Sequence, residues 1–582
     1  MKTQLTPQKS NQAGSALMLT LFMTGIALAI LASAMTWSAN STKLTHRSIQ
    51  YSKSIVAAEA ATEKVLTQIS QDYLKGGEKM VADNVAVYRG IIPKPSDSSF
   101  WNNWEFNNAE GASGQTFVKG STSSTYALLN SAYSGLRGFI TTYTIVAHAR
   151  ETALLQDVEA GVLQEIQLAR IPIFQFAMYS AGDMEISCGQ DFKITGQVHA
   201  NKTLYVEPDK ILTFESAVTA VSGILFKRHP EDTRSAPSGS YVYEEPDLVN
   251  PSATAMTLPI GMTNTAEAVR EIIQPPPSGG DTNAQIAALR LYNQTDMILT
   301  VSNTGMSATS GKFNNFATTI PAAELDQIFT ATNKFTDARE EKTVRPVDVN
   351  VGALTVWAQT NNNLRVALGT NELSSLYILD RRTTLASGTN LAAVRMRNGA
   401  VLPSRGLTVA TARPLYVLGH YNQTNVANLG KTNTITTRPA SLLADAITIL
   451  SENWTDGNSS AAVASRVAAS TTVNAALLTG VVETKLGKYS GGMENFPRFL
   501  ETWGAANVLT YNGSMVRMFP SLYATNAWGK ANVYAPPKRD WAFDLNFNDA
   551  NKLPPLTPSL VKVFRGRWAT VAPNKTVATA AY

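Results

Sequence analysis

Ala16–Trp37 reads ALMLTLFMTGIALAILASAMTW, and it lies inside a longer stretch, Ser10 to Thr42, that contains no charged residue. At ~1.5 Å rise per residue such a run crosses the ~30 Å hydrocarbon layer of a bilayer as one helix. The flank before it, MKTQLTPQKSNQAG, carries Lys2 and Lys9 and no acid, as a cytoplasmic flank should. Lys43, Arg47 and Lys53 follow the other end, so charge alone does not orient the segment. Beyond it Leu44, Tyr51, Ile55, Val56, Val65, Leu66, Ile69 and Tyr73 recur at near-helical spacing, and no proline intervenes before Pro93. The pattern predicts one helix over 15–75, its first half in lipid and its second half laid as an amphipathic stripe on a folded body.

The basic leader ending in Gly14, then SALMLTLF, then AAEAATEKV at Ala57–Val65, resembles the N-terminus of PilX-type minor pilins and is similar to the tip pseudopilin of type II secretion. The resemblance spans about the first seventy residues. It implies cleavage between Gly14 and Ser15 by a prepilin peptidase, then lateral packing of the helix among other pilin-like subunits of a pilus or secretion machine. The fifth residue of the chain so processed is Leu19, where major pilins carry glutamate, so a capping, priming or accessory role fits better than bulk polymerisation. Two plainer readings stand beside this one. Ala32-Ser33-Ala34 resembles a signal-peptidase site, although the apolar run exceeds the ~7–15 residues usual in such segments. An uncleaved anchor without any pilus is the other.

At 582 residues the chain exceeds what one core usually serves, so an anchor and two or three folded regions are expected. Charged residues are only 16% of it, and the single cysteine, Cys188, excludes an internal disulfide. ITTYTIVAHAR and VLQEIQLARIPIFQF, between Phe139 and Phe176, alternate like strands, and with the preceding loop-like segment make 76–176 a small pilin-like sheet region. Asp183–Phe226 then alternates in short strands about eight to ten residues apart, as in a β-solenoid or sandwich. The solenoid is preferred because Ile186, Ile194, Val198, Leu204 and Val206 share one inner wall and Gly189 and Gly196 turn corners. This β-rich body covers 177–440, with insertions across 229–345 and a further strand pattern at Val351–Ala358. Residues 441–582 read as a mixed α/β region, basic from Glu483 to Lys575, where twelve Lys and Arg face six Asp and Glu. Gly406–Asn422, Leu442–Trp454 and Tyr489–Phe519 are also similar to large bacterial proteins of unknown function that begin with a PilX-like anchor, a resemblance that implies no chemistry.

Catalytic signatures are missing. The five histidines occupy unrelated contexts, and there is no GxSxG, HExxH, CxxC or Walker loop. Asp544-x-Asn546-x-Asn548-Asp549 imitates a calcium loop, but the glycine and the closing glutamate of an EF-hand are absent and Leu545 and Phe547 alternate as in a strand. Asp183, Glu185 and Asp191 are close enough in sequence to seed a glycosidic carboxylate pair, with a solvated outer face as the commoner outcome. Lys485, Lys488, Arg498, Arg517, Lys538 and Arg539 interleave with Trp503, Tyr511, Trp528, Tyr534 and Trp541, a composition suited to nucleic acid or an anionic glycan.

The sequence therefore predicts an α+β protein: a long N-terminal helix in the bacterial plasma membrane, a small pilin-like sheet, and a large β-rich body outside the cytoplasm. It predicts a structural, non-enzymatic subunit without a cofactor, its body available for adhesion or for contact with other subunits, whose helix packs on neighbours through Gly25, Ala29, Ala32 and Ala34. An anchored β-helical protein that binds or cleaves polysaccharide is the alternative.

Overall fold

The computed structural model describes residues 13–129, 133–153, 158–312, 315–369, 372–385, 388–529 and 533–572. A single helix, Ala13–Asp83, runs through the apolar stretch and beyond the expected end near residue 75, passing a kink at Gly77, whose φ of 68° and ψ of −166° suit glycine alone. Its first half is bare and its second half is not. Val65, Leu66, Ile69 and Tyr73 pack on Tyr143, Ile145, Ile166 and Leu168, while Ala57, Ala58 and Ala61 lie against Ala147, Ala149 and Val162. Alanines facing alanines let helix and sheet approach closely.

That sheet is antiparallel, in the order Trp104–Asn107, Arg137–Glu151, Glu159–Pro172, Ser559–Val571, with Phe117–Gly120 and Thr125–Leu128 also pairing along the second strand. Two of its strands fall in the segment that reads as loop, because four-residue strands among Ser, Asn and Gly leave little periodic signal. Its last strand comes from the far C-terminus, and Arg565 forms a forked ion pair with Glu63 of the helix.

The body is a stack of parallel strands. Met178, Val198, Val218 and Val249 lie in register, as do Met184, Leu204 and Ile224, and Phe192 and Leu212. The first turns thus repeat every twenty residues with three short strands each. Ile186, Ile194, Val198, Leu204 and Val206 are all buried, as the alternation predicts. Asp183 accepts the amide of Thr203 at 2.9 Å, and Asp191 accepts that of Ile211 at 3.1 Å. Each aspartate therefore staples its turn to the one twenty residues later.

Chain order and stack order differ. Along one twelve-stranded sheet the order is Val249–Asn250, Val218–Ala220, Val198–Ala200, Met178–Ser180, Met515–Pro520, Ala476–Val481, Ala440–Ala444, Leu407–Ala410, Ser375–Asp380 and Met297–Ser302, ending in the antiparallel strands Gly305–Lys312 and Asn315–Ile320. The chain enters in the middle, winds to one end, returns through 251–296, restarts at the other end and winds back until Met515–Pro520 pairs with Met178–Ser180. Arg270, on the return segment, pairs with Asp445 of the stack at 2.9 Å, and the buried Arg290 is held by Asp281 and Glu271.

A nine-stranded sheet forms a second wall of this later half, from Phe329–Thr330 to Lys538–Phe543. Residues 441–582, read from sequence as a mixed region, supply strands to both walls and the closing strand of the helix-bearing sheet; among the described residues they contain no α-helix. Val351–Ala358, expected as strand, is helical over Val351–Thr360. Asn350 caps the Ala353 amide, and Val351, Leu354, Thr355 and Ala358 are the buried positions, a helical spacing. Ala322–Leu325 forms a single helical turn, followed by the short strands Phe329–Thr330 and Phe335–Asp337.

Candidate assembly helix and a charged cavity

Leu17, Met18, Leu21, Phe22, Leu28, Leu31, Met35 and Trp37 are exposed, and no other part of the described chain covers them. This is the one described helix long and apolar enough to cross a membrane. Threonine hydroxyls are satisfied within it: Thr20, Thr24, Thr36 and Thr42 each donate to the carbonyl four residues earlier. A helix that hides its own donors is suited to lipid, where none can be satisfied by water.

Gly25, Ala29 and Ala32 fall on one face by helical spacing, and a Cβ built at Gly25 meets nothing within 4 Å. Ala34, nine residues from Gly25, projects from the opposite side, so the four expected packing residues do not make one stripe. Ser15 is exposed in the first turn and Gly14 has helical backbone, while residues 1–12 of the expected leader lie outside the described residues. Lower down, Asp72 accepts from Tyr88 at 2.7 Å, Gln68 at 2.9 Å and Asn84 at 3.0 Å. Burial pushes its carboxyl up, but these donors outweigh it and hold it below the usual range.

The proposed polyanion residues are scattered. Lys485, Lys488 and Lys538 are exposed. Arg498 instead pairs with buried Glu340 at 2.7 Å, Arg517 with Glu483 at 2.7 Å, and Arg539 donates to the Glu494 carbonyl and Asn495. Trp503, Tyr511 and Trp541 belong to the core. Arginines with long apolar stems are spent inside the fold, and a basic surface does not assemble from this set. The calcium-like run forms a 3₁₀ turn, Leu545–Asn548, in which Asp544 caps the Asn546 amide, and Leu545 is exposed.

Asp183, Glu185 and Asp191 also part company. Both aspartates bind the amides described above, whereas Glu185 is buried beneath the loop 482–492, accepting from Thr484 at 2.8 Å and Ser490 at 3.2 Å. Alternation placed Glu185 outward correctly, but a loop three hundred residues away covers that face. Oxygens of Glu185, Glu207 and Asp232 gather within 4.8 Å. Two guanidiniums occupy this group: Arg234 reaches Asp232 at 2.7 Å and Glu207 at 3.4 Å, and Arg228 reaches Glu207 at 3.4 Å and Asp209 at 2.7 Å. Glu207 and Asp232 are thereby already matched by cations, while Glu185 is held by the two hydroxyls. Beside them opens a cavity of about 240 Å³ lined by Glu185, Lys202, His229, Ser490, Met493 and Phe496, among others.

No protein-family model matches this chain, and no curated protein matches it. Among solved structures it is similar to the competence-associated pilin ComZ from Thermus thermophilus, at 10% identity over 90% of this chain and 97% of that one, with a TM-score of 0.30, which is too low to establish a shared fold.

Proposed function

We propose that this protein is a membrane-anchored, pilin-like structural subunit of a type IV pilus or related secretion assembly, with no enzymatic activity of its own. One observation carries the reading: one long helix, kinked only near its end at Gly77, is bare and apolar in its first half and packed on an antiparallel sheet in its second. In such an arrangement the bare half serves two environments in turn, lipid before assembly and neighbouring helices after it. Gly25, Ala29 and Ala32 form the face for close helix contact. A prepilin peptidase cutting between Gly14 and Ser15 would release the subunit from its leader. Leu19 in place of an acid favours a minor subunit at an end or junction. The parallel stack is read as a β-solenoid displayed outside the plasma membrane, where it meets other subunits or an adhesion target.

Mass spectrometry of the protein isolated from native membranes tests this. A mature chain that starts at Ser15 is the expected result. A start at Met1 would leave only an anchor, and one at Met35 a released protein; either would refute the pilin reading.

A further inference from the structure

The cavity between the early turns of the stack and the loop 482–496 contains an unmatched cation. Arg339 is buried, with 5% of its surface exposed, and lines that cavity. Its Nε donates to the Asn526 carbonyl at 3.2 Å. Its two terminal nitrogens have no hydrogen-bond acceptor, and no carboxylate lies within 4.0 Å, among the described residues. The neighbouring Arg498, by contrast, is fully engaged by Glu340 at 2.7 Å and the Ala524 carbonyl at 2.6 Å. Glu340 and Asp337 act on it only from beyond ion-pair distance, and a buried guanidinium without a direct partner is costly to the fold. Burial and the nearby Arg498 together push Arg339 down to about 9, far below an ordinary arginine.

The rest of the lining restricts what can supply the missing charge. Asp183, Glu185, Glu231 and Glu483 also line the cavity, alongside Lys202, Lys485, Arg498 and Arg517, so a hydroxyl finds acceptors there and one added negative charge is enough to answer Arg339. Ser490 adds a hydroxyl, and Met493 and Phe496 supply apolar wall. The space, about 240 Å³, suits a molecule of monosaccharide size.

We propose that this cavity is a binding site for a small, singly charged hydroxy acid of the hexuronic class, its carboxylate forked on Arg339 and its hydroxyls on the acids and Ser490. A guanidinium presents two parallel N–H groups to such a carboxylate. The site lies in the body, far in sequence from the anchor helix, so it stands or falls independently of the assembly reading.

The test is calorimetric titration of the full-length protein in detergent with D-galacturonate, with D-galactose, which lacks only the carboxylate, and with inorganic phosphate. Saturable binding of galacturonate is expected, with galactose and phosphate each weaker by roughly ten- to a hundredfold. Arg339→Gln, checked for folding by its thermal midpoint, should weaken galacturonate by a similar factor. Equal binding of galactose would overturn the role of the carboxylate, and equal binding of phosphate would overturn the hydroxy-acid assignment. Absence of any galacturonate binding would remove the site. Should the variant not fold, the comparison of ligands on the unaltered protein still decides.

Discussion

His199 shows how much one residue's environment departs from what its identity suggests. It is fully buried, stacked on Tyr179, with its ring nitrogens 2.8 Å from the Thr219 hydroxyl and 3.0 Å from the Asn201 side-chain oxygen. Burial, reinforced weakly by Lys562, pushes it down to about 4. An unfolded chain protonates a histidine near ~6.5, so between that value and about 4 the unfolded state binds the extra proton and stability is lost as pH falls. The loss attributable to His199 amounts to about 3 kcal/mol at the acid end. His199→Gln should therefore flatten the decline in thermal midpoint between pH 7 and pH 4.5 relative to the parent; parallel declines would disprove it. Arg395 makes a complementary case. It is buried between Asp348, reached at 2.9 Å, and Asp456, reached at 2.6 Å. Arg395→Met should cost about 3–5 kcal/mol in urea unfolding, because Asp348 would remain buried without its cation.

At the scale of elements, the long helix was legible because its pattern is local: apolar run, stripe and absence of proline all lie within some seventy residues. Its true end was not. Gly77 breaks the helical conformation with backbone angles that residues bearing a Cβ avoid, yet the helix resumes to Asp83 because Val81 and, beyond it, Tyr88 are buried in the same core as Tyr73. Nothing lies within 4 Å of a Cβ at Gly77, so Gly77→Ala tests backbone conformation alone. It should destabilise by about 1–3 kcal/mol in thermal unfolding, while Gly25→Ala, in the bare regular helix, should not. The misread segment Val351–Thr360 makes the converse point. VGALTVWAQT is rich in β-forming residues, and Asn350 capping together with the inward face at Val351, Leu354, Thr355 and Ala358 overrides that preference.

At the scale of the molecule, the decisive feature is the order of the stack. The helix-bearing sheet feeds the body in the middle, at Met178, and receives the chain back after Phe543 through Ser559–Val571. The two halves are therefore joined by strand pairing at both places as well as by the return segment. A protease site introduced between Ser278 and Gly279, in the exposed part of that segment, should yield two fragments that co-elute by gel filtration until denaturant separates them. Fragments that elute apart under native conditions would show that the pairing does not hold the halves together. Most of the candidate site belongs to this scale as well. Arg339 reaches the cavity only because 339, 184–185 and 490–496 converge, and none of these segments announces the others.

The sequence by itself determined the long apolar helix, the amphipathic stripe and the short alternating strands, since each follows from residue periodicity within one element. It also determined that Glu185 would face away from the inner wall. Only the tertiary structure decided that this face is covered, that Arg498 and Arg517 of the basic stretch are held in ion pairs, and that the last turn of the body pairs with the first. Those outcomes depend on contacts between residues hundreds of positions apart, whose register is set by packing of the whole stack and leaves no local pattern.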